Sequence, residues 1–141
     1  MSLGVDTEIT ILAAGLMFLW ALALGAVKYR QIVASSQGHA HPYTDIAHRA
    51  ALMYSFALMM IAVFVQLSAW GQVVNLLAAA VLGFFFVVAV ASYMTHGLRC
   101  DTDNQLRHPS SGLRAFMNVH IVGSIGGFAV LFSGFVAGTF A

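Results

Sequence analysis

The chain is short of charge. Only 8% of its 141 residues are Asp, Glu, Lys or Arg, while 60% are hydrophobic and the mean hydropathy is +0.87. A soluble domain carries roughly 25% charged residues. This chain has too few to coat a water-facing surface, so it reads as a membrane protein. The formal net charge is +1, with no basic run and no aromatics interleaved among basic residues. Nucleic acid is therefore set aside as a partner. Cys100 is the one cysteine, so no internal disulfide forms. The opening "MSLGVDTEIT" lacks the positive n-region of a signal peptide and carries Asp6 and Glu8. The apolar run behind it is too long for an h-region, so it is expected to remain as a spanning helix.

Long apolar runs are what the chain has instead. A spanning helix needs about 20 mostly apolar residues. Four segments qualify, at about 9–27, 46–70, 73–95 and 115–140. Each is continuous rather than alternating, and lipid requires a backbone that satisfies itself, so helices are expected rather than strands. The expected fold is all-α, a single four-helix transmembrane bundle over residues 1–141, running up-down-up-down. The turn near Gly71-Gln72 is tight. Two longer polar loops, about 28–43 and 96–113, share the opposite face. Lys28, Arg30, Arg49, Arg99, Arg107 and Arg114 all lie at that face, and Asp6 and Glu8 at the other. The positive-inside rule places the long loops in the cytoplasm. Arginines gathered at one face are also what an anionic cofactor attracts.

The fourth segment, "VGSIGGFAVLFSGFVAG", has Gly123 and Gly127 four apart, and Gly134 and Gly138 likewise. Small residues at that spacing allow close helix packing. A groove for a flat ligand is the other use of such a stripe.

Polar residues inside a bilayer usually line a cavity. Here they gather in the leaflet with the long loops: His48, Tyr54 and Ser55 on helix two, Tyr93 and His96 on helix three, Asn118 and His120 on helix four. His39 and His41 form a His-x-His pair beside Pro42, either a small metal site or solvated loop residues. His108 is another loop residue, and His96 suits a helix end. His120 lies inside an apolar helix and serves equally as a ligand or as a bonded packing residue. His48 follows Thr44 and Asp45, which look like the start of helix two. Asp45 is close enough to accept a proton from the second ring nitrogen of a metal-binding imidazole. Arg49 and Arg114, with the positive helix end, suit carboxylates such as haem propionates. Zinc or copper normally needs three or four ligands, whereas a haem iron needs one from the protein.

These residues resemble the styrene oxide isomerases, small four-helix membrane enzymes that hold haem b. The stretch "DIAHRAALMYSFALMM" resembles the family's Ala-His segment opening helix two. "LLAAAVLGFFFVVAVASYM" then aligns without a gap, and "DTDNQL" resembles its Pro-Asn-Gln-Phe turn at Asn104 and Gln105. The resemblance covers about residues 44–106; helices one and four match only in hydropathy. It implies His48 as the axial iron ligand and Tyr93 as the active-site tyrosine. His48 is followed by Arg-Ala-Ala-Leu-Met-Tyr where the family has Ser-Gly-Pro-Ala-Leu-Asn, so Tyr54 stands at the pocket asparagine. A second family asparagine falls on Ala89. Helix four adds Asn118 and His120 to the candidate site.

What the resemblance implies is a bacterial inner-membrane isomerase with ferric haem b as a Lewis acid, its haem lying between the protomers of a homotrimer. The substrate would be a small apolar epoxide that partitions into the bilayer. Ring opening and a 1,2-hydride shift would give an aldehyde, with Tyr93 bonding the oxygen and Phe84, Phe85 or Phe86 flanking the cationic carbon. A different class is open: His48 and His120 gripping haem from both sides, as in a cytochrome b electron-transfer subunit. A third is a haem-free bundle, such as a glutathione-dependent lipid enzyme or an assembly subunit.

Overall fold

The computed structural model describes residues 2–140. It is an all-α, four-helix bundle: α1 Val5–Ala34, α2 Pro42–Leu67, α3 Gln72–Arg99 and α4 Ser111–Phe140. All four helices are long and apolar enough to cross a membrane, and the chain is an integral membrane protein. Helices α1 and α3 run past their expected ends on both sides, and α4 starts four residues early and ends at the expected Phe140. At 30 residues, α1 and α4 are each about 45 Å long, well over a hydrocarbon core of about 30 Å. Hydropathy marks where lipid ends, not where helical hydrogen bonding ends.

Helix α2 begins four residues before its expected start. Pro42 occupies its first turn, where a missing N–H costs nothing, and the Nδ1 of His41 accepts from the Tyr43 amide at 3.2 Å. His41, not Thr44 or Asp45, therefore caps the helix. The other end stops at Leu67, short of the expected Trp70, and the link to α3 is residues 68–71.

Helix α2 touches all three others, while α1 and α4 do not meet among the described residues. The core is built from small residues, with Ala14, Ala21, Ala47, Ala51, Ala78 and Ala79 beside Leu58, Ile61, Leu82 and Leu131. In lipid, apolar burial gives no net drive, so close van der Waals contact between small side chains does the work. Outward-facing Leu12, Leu16, Leu19 and Leu22 on α1, and Val119, Val122 and Ile125 on α4, present the apolar surface that lipid requires.

Helix α4 is held by its glycines. A Cβ on Gly123 would strike the Phe85 ring, and one on Gly127 would lie 3.3 Å from the Ala78 carbonyl oxygen. The absent side chain of Gly134 admits Ser68 and Trp70, and a Cβ on Gly138 would lie 2.5 Å from the Leu67 carbonyl oxygen. The Ala69 amide donates to the Gly134 carbonyl at 2.9 Å, and the Trp70 indole to the Val130 carbonyl at 3.0 Å. The stripe's glycines pack α4 against α3 and the segment around residues 67–70.

At the terminus face, Asp6 is buried rather than solvated. Its Oδ1 accepts from the Thr7 amide at 3.0 Å and its Oδ2 from the Asn75 side chain at 3.4 Å. The starts of α1 and α3 are thereby tied together, with the positive ends of both helices beside the carboxylate.

Candidate functional site

Three seams meet the loop face, and the expected site residues divide among them.

The first seam lies between α1 and α2. His48 is partly buried there, and its Nε2 faces Gly25 on α1, where a Cβ would lie 3.1 Å from that nitrogen. Its Nδ1 is buried and has no hydrogen-bond partner. The same seam continues deeper. Ser55 and Met59 follow His48 at i+7 and i+11 on α2, and Phe18, Ala14 and Ile11 precede Gly25 at matching steps on α1. With Gly15 and Phe56 they line a cavity of about 270 Å³. Above His48, Asp45 bonds Lys28 through one oxygen and Arg49 through the other, at 3.0 Å. Asp45 was expected to accept from His48. The two cations hold it instead, and the Nδ1 of His48 is left alone.

The second seam lies between α2 and α3. Tyr43 is buried at its centre, stacked on Tyr93 at a centroid distance of 5.9 Å and tilted against His96 at 5.3 Å. Deeper, Tyr54 stacks on Phe86 at 4.3 Å with the rings nearly parallel. Phe86 also lines an apolar groove of about 600 Å³ among α2, α3 and α4, with Ala57, Leu82, Ser124 and Phe128. The "DNQ" turn closes this seam from the loop side. Gln105 donates its amide to the Tyr43 hydroxyl at 2.8 Å and accepts from Ser92 at 3.2 Å. Asn104 accepts from the Leu106 amide at 2.9 Å, a local turn bond, so it shapes the loop and lies away from His48. The His96 ring bonds Asp101 at 2.6 Å, and this pairing holds the Asp101 carboxyl below its usual range.

The third seam lies between α3 and α4. His120 stacks on Phe85 at 4.8 Å and meets Phe116 edge-on. Asn118 is exposed and shares a groove with Arg114, Leu106 and Met117. Phe84 points outward at 59% exposure, Phe85 is buried under α4, and Phe86 backs Tyr54.

Within one protomer, then, Tyr54 and Tyr93 share the α2–α3 seam, and His48 lies on the α1–α2 seam. Six residues separate His48 from Tyr54, which directs them about 120° apart around α2. Asn118, His120, Arg114 and Asn104 lie on the far side of α3 or in the loop. His48 and His120 face different seams, so one protomer does not offer them as a pair. The His-x-His pair is occupied by loop bonds, His39 to Gln37 at 2.9 Å and His41 to Asp103 at 3.3 Å. Among the described residues no three His, Cys, Asp or Glu side chains gather as a metal site.

An axial haem ligand needs one free nitrogen in a partly desolvated place beside open backbone. His48 supplies the unpartnered nitrogen, its buried Nδ1, while its Nε2 is packed against Gly25, whose missing side chain admits the ring. Arg49 and Lys28 stand one turn away, in reach of carboxylates at the loop face. Sequence reasoning had not singled out Gly25, Lys28 or Tyr43. A glycine in an apolar helix carries no signal of its partner, and Tyr43 looks like an ordinary residue at a helix start.

No family profile, curated protein or solved structure matches the chain in comparison.

Proposed function

We propose that the protein is a haem b-dependent isomerase that converts an apolar, aryl-bearing epoxide to an aldehyde within a bacterial inner membrane, the long loops facing the cytoplasm. The reading is supported by the resemblance over residues 44–106 to the styrene oxide isomerases. The observation that carries it is the His48 imidazole in an apolar helix, its Nδ1 buried without a hydrogen-bond partner and its Nε2 lying close against Gly25. His48 would hold the iron, while Lys28 and Arg49 would meet the propionates. The haem would supply a Lewis acid toward the epoxide oxygen. The chain's own groups then orient and polarise the substrate. Tyr93 donates to the oxygen as charge develops on it, worth about 3–4 kcal/mol for one aimed donor in a dry site. Tyr54 and Phe86 form the aromatic wall, and the groove behind Phe86 gives an apolar molecule a path from lipid.

Because His48 and Tyr93 lie on different seams of one protomer, a second copy would bring its tyrosines to the His48 seam. The expected assembly is a homotrimer.

The absorption spectrum of the purified ferric protein tests the reading. A Soret band is expected, in a high-spin or water-ligated form that shifts when an epoxide analogue is added. His48→Ala is expected to lose the band. A low-spin six-coordinate spectrum, unmoved by the analogue, would instead favour an electron-transfer subunit. A preparation that stays colourless after hemin is added would end the haem reading altogether.

A further inference from the structure

The first turn of α2 leans on a side chain for one of its amides. Pro42 has no N–H, and the Thr44 and Asp45 amides both donate to the His41 carbonyl, at 3.0 and 3.1 Å. The Tyr43 amide donates to the Nδ1 of the His41 ring instead, at 3.2 Å. A ring nitrogen that accepts holds no proton, so this cap requires a bare Nδ1. The other nitrogen, Nε2, lies 3.3 Å from the Asp103 carboxylate in the link between α3 and α4. Two lone pairs repel at that distance, so the ring's one proton sits on Nε2. The neutral ring thus serves two segments of the chain at once.

A second proton has only Nδ1 to go to. It turns the cap into two N–H groups facing each other, and it puts a positive charge at the positive end of α2. Asp103 pulls the other way, because an imidazolium and a carboxylate attract more strongly than a neutral ring and a carboxylate. His41 therefore holds either the start of α2 or a firmer grip on the link, and one proton selects between them. Among the described residues, the other groups sharing its groove are Gln31 and Ser35 from the α1 side, His39 from its own loop and the Cys100 thiol at the end of α3. Gln31 and Ser35 carry no charge, and the His39 ring is bonded to Gln37 at 2.9 Å. Tyr43 carries the effect onward. Its own ring stacks on Tyr93, and its hydroxyl accepts from the Gln105 amide of the link at 2.8 Å.

We propose that His41 is a pH-responsive switch at the loop face. Neutral, it caps α2 through Nδ1. Protonated, it releases the Tyr43 amide, loosens the first turn of α2 and pairs with Asp103. Histidine is the side chain that ordinarily changes charge between pH 5 and 8. The switch uses no bound group and stands apart from the haem reading.

Nuclear magnetic resonance of the full chain tests it. At pH 8 the ¹⁵N signals of the His41 ring are expected to show the Nε2–H tautomer. Between pH 8 and 5 the ring takes up its second proton. Over the same range, exchange of the Tyr43 amide, corrected for its intrinsic pH dependence, quickens about fivefold, the usual effect of losing one cap. The Gln105 amide does not quicken with it. His41→Asn keeps a capping acceptor without a titrating ring, and should protect the Tyr43 amide equally at both pH values. His96→Gln removes the other imidazole beside Tyr43 and should leave the response in place. An Nδ1–H tautomer at pH 8, a ring that stays neutral down to pH 5, or a Tyr43 amide equally protected in both ring states overturns the switch. So does a response that survives in His41→Asn or disappears in His96→Gln. A Gln105 amide that quickens together with Tyr43 overturns the grip on the link.

Discussion

At the scale of single residues, the informative positions come in pairs, and only one member of each pair carries a signal in the sequence. His48 stands out because an imidazole in an apolar helix is costly without a use. Its counterpart Gly25 does not stand out, although it decides whether the ring has room. Gly25→Ala brings a Cβ to 3.1 Å from Nε2, so the ring must shift by a few tenths of an ångström. Alanine is also the better helix former by about 1 kcal/mol. The variant is therefore expected to fold as well as wild type and to bind hemin about tenfold more weakly, a cost of about 1.4 kcal/mol. Gly15→Ala on the same helix, with nothing within 4 Å of the new Cβ, is the matched control and should bind normally. Hemin titration of the two variants checks this, and equal affinities would remove Gly25 from the site. Asp45 shows the opposite failure. Its spacing from His48 was legible, but two cations compete for the same carboxylate, and sequence distance alone does not rank them.

At the scale of elements, the four helices were readable because lipid demands long apolar runs, and their ends were not, because helical bonding continues into water. The glycines of α4 were readable as a packing stripe. Their partners, Phe85, Ala78 and the 68–71 link, emerge only once the helices are set side by side. The link between α3 and α4 is the element whose behaviour most depends on solution conditions. Asp101 anchors its start to His96, with Arg99 adding to the attraction. Since the folded carboxyl ionises below its ordinary value of 3.8, its contribution is present above that pH. It is lost as the pH falls further and the folded carboxyl takes up its proton. Hydrogen exchange in residues 100–110, corrected for its intrinsic pH dependence, is thus expected to quicken as the pH drops below about 3.8. Asp101→Asn should exchange quickly at every pH. Identical pH profiles for the two proteins would mean that the His96 contact does not hold the loop.

At the scale of the whole molecule, hydropathy fixes how many helices cross but not which side chains share a seam. Neighbours in the sequence, such as His48 and Tyr54 on α2, face different seams because each residue turns the helix by about 100°. In the reading proposed above, a functional site assembles only where the His48 seam of one protomer meets the Tyr93 seam of the next. Complementation separates that arrangement from a site inside one chain. His48→Ala and Tyr93→Phe are each expected to be inactive or nearly so alone, the first for want of haem and the second slowed about 10²–10³-fold. Co-expressed in equal amounts, the two variants form mixed rings in which some interfaces join an intact His48 to an intact Tyr93. With random mixing in a closed ring, about a quarter of the interfaces qualify, so about a quarter of wild-type activity is expected. A site contained in one protomer is damaged in every copy and gives no recovery at any mixing ratio. Activity against the fraction of each tagged variant distinguishes the two cases, since shared sites peak at equal mixing and self-contained sites stay flat.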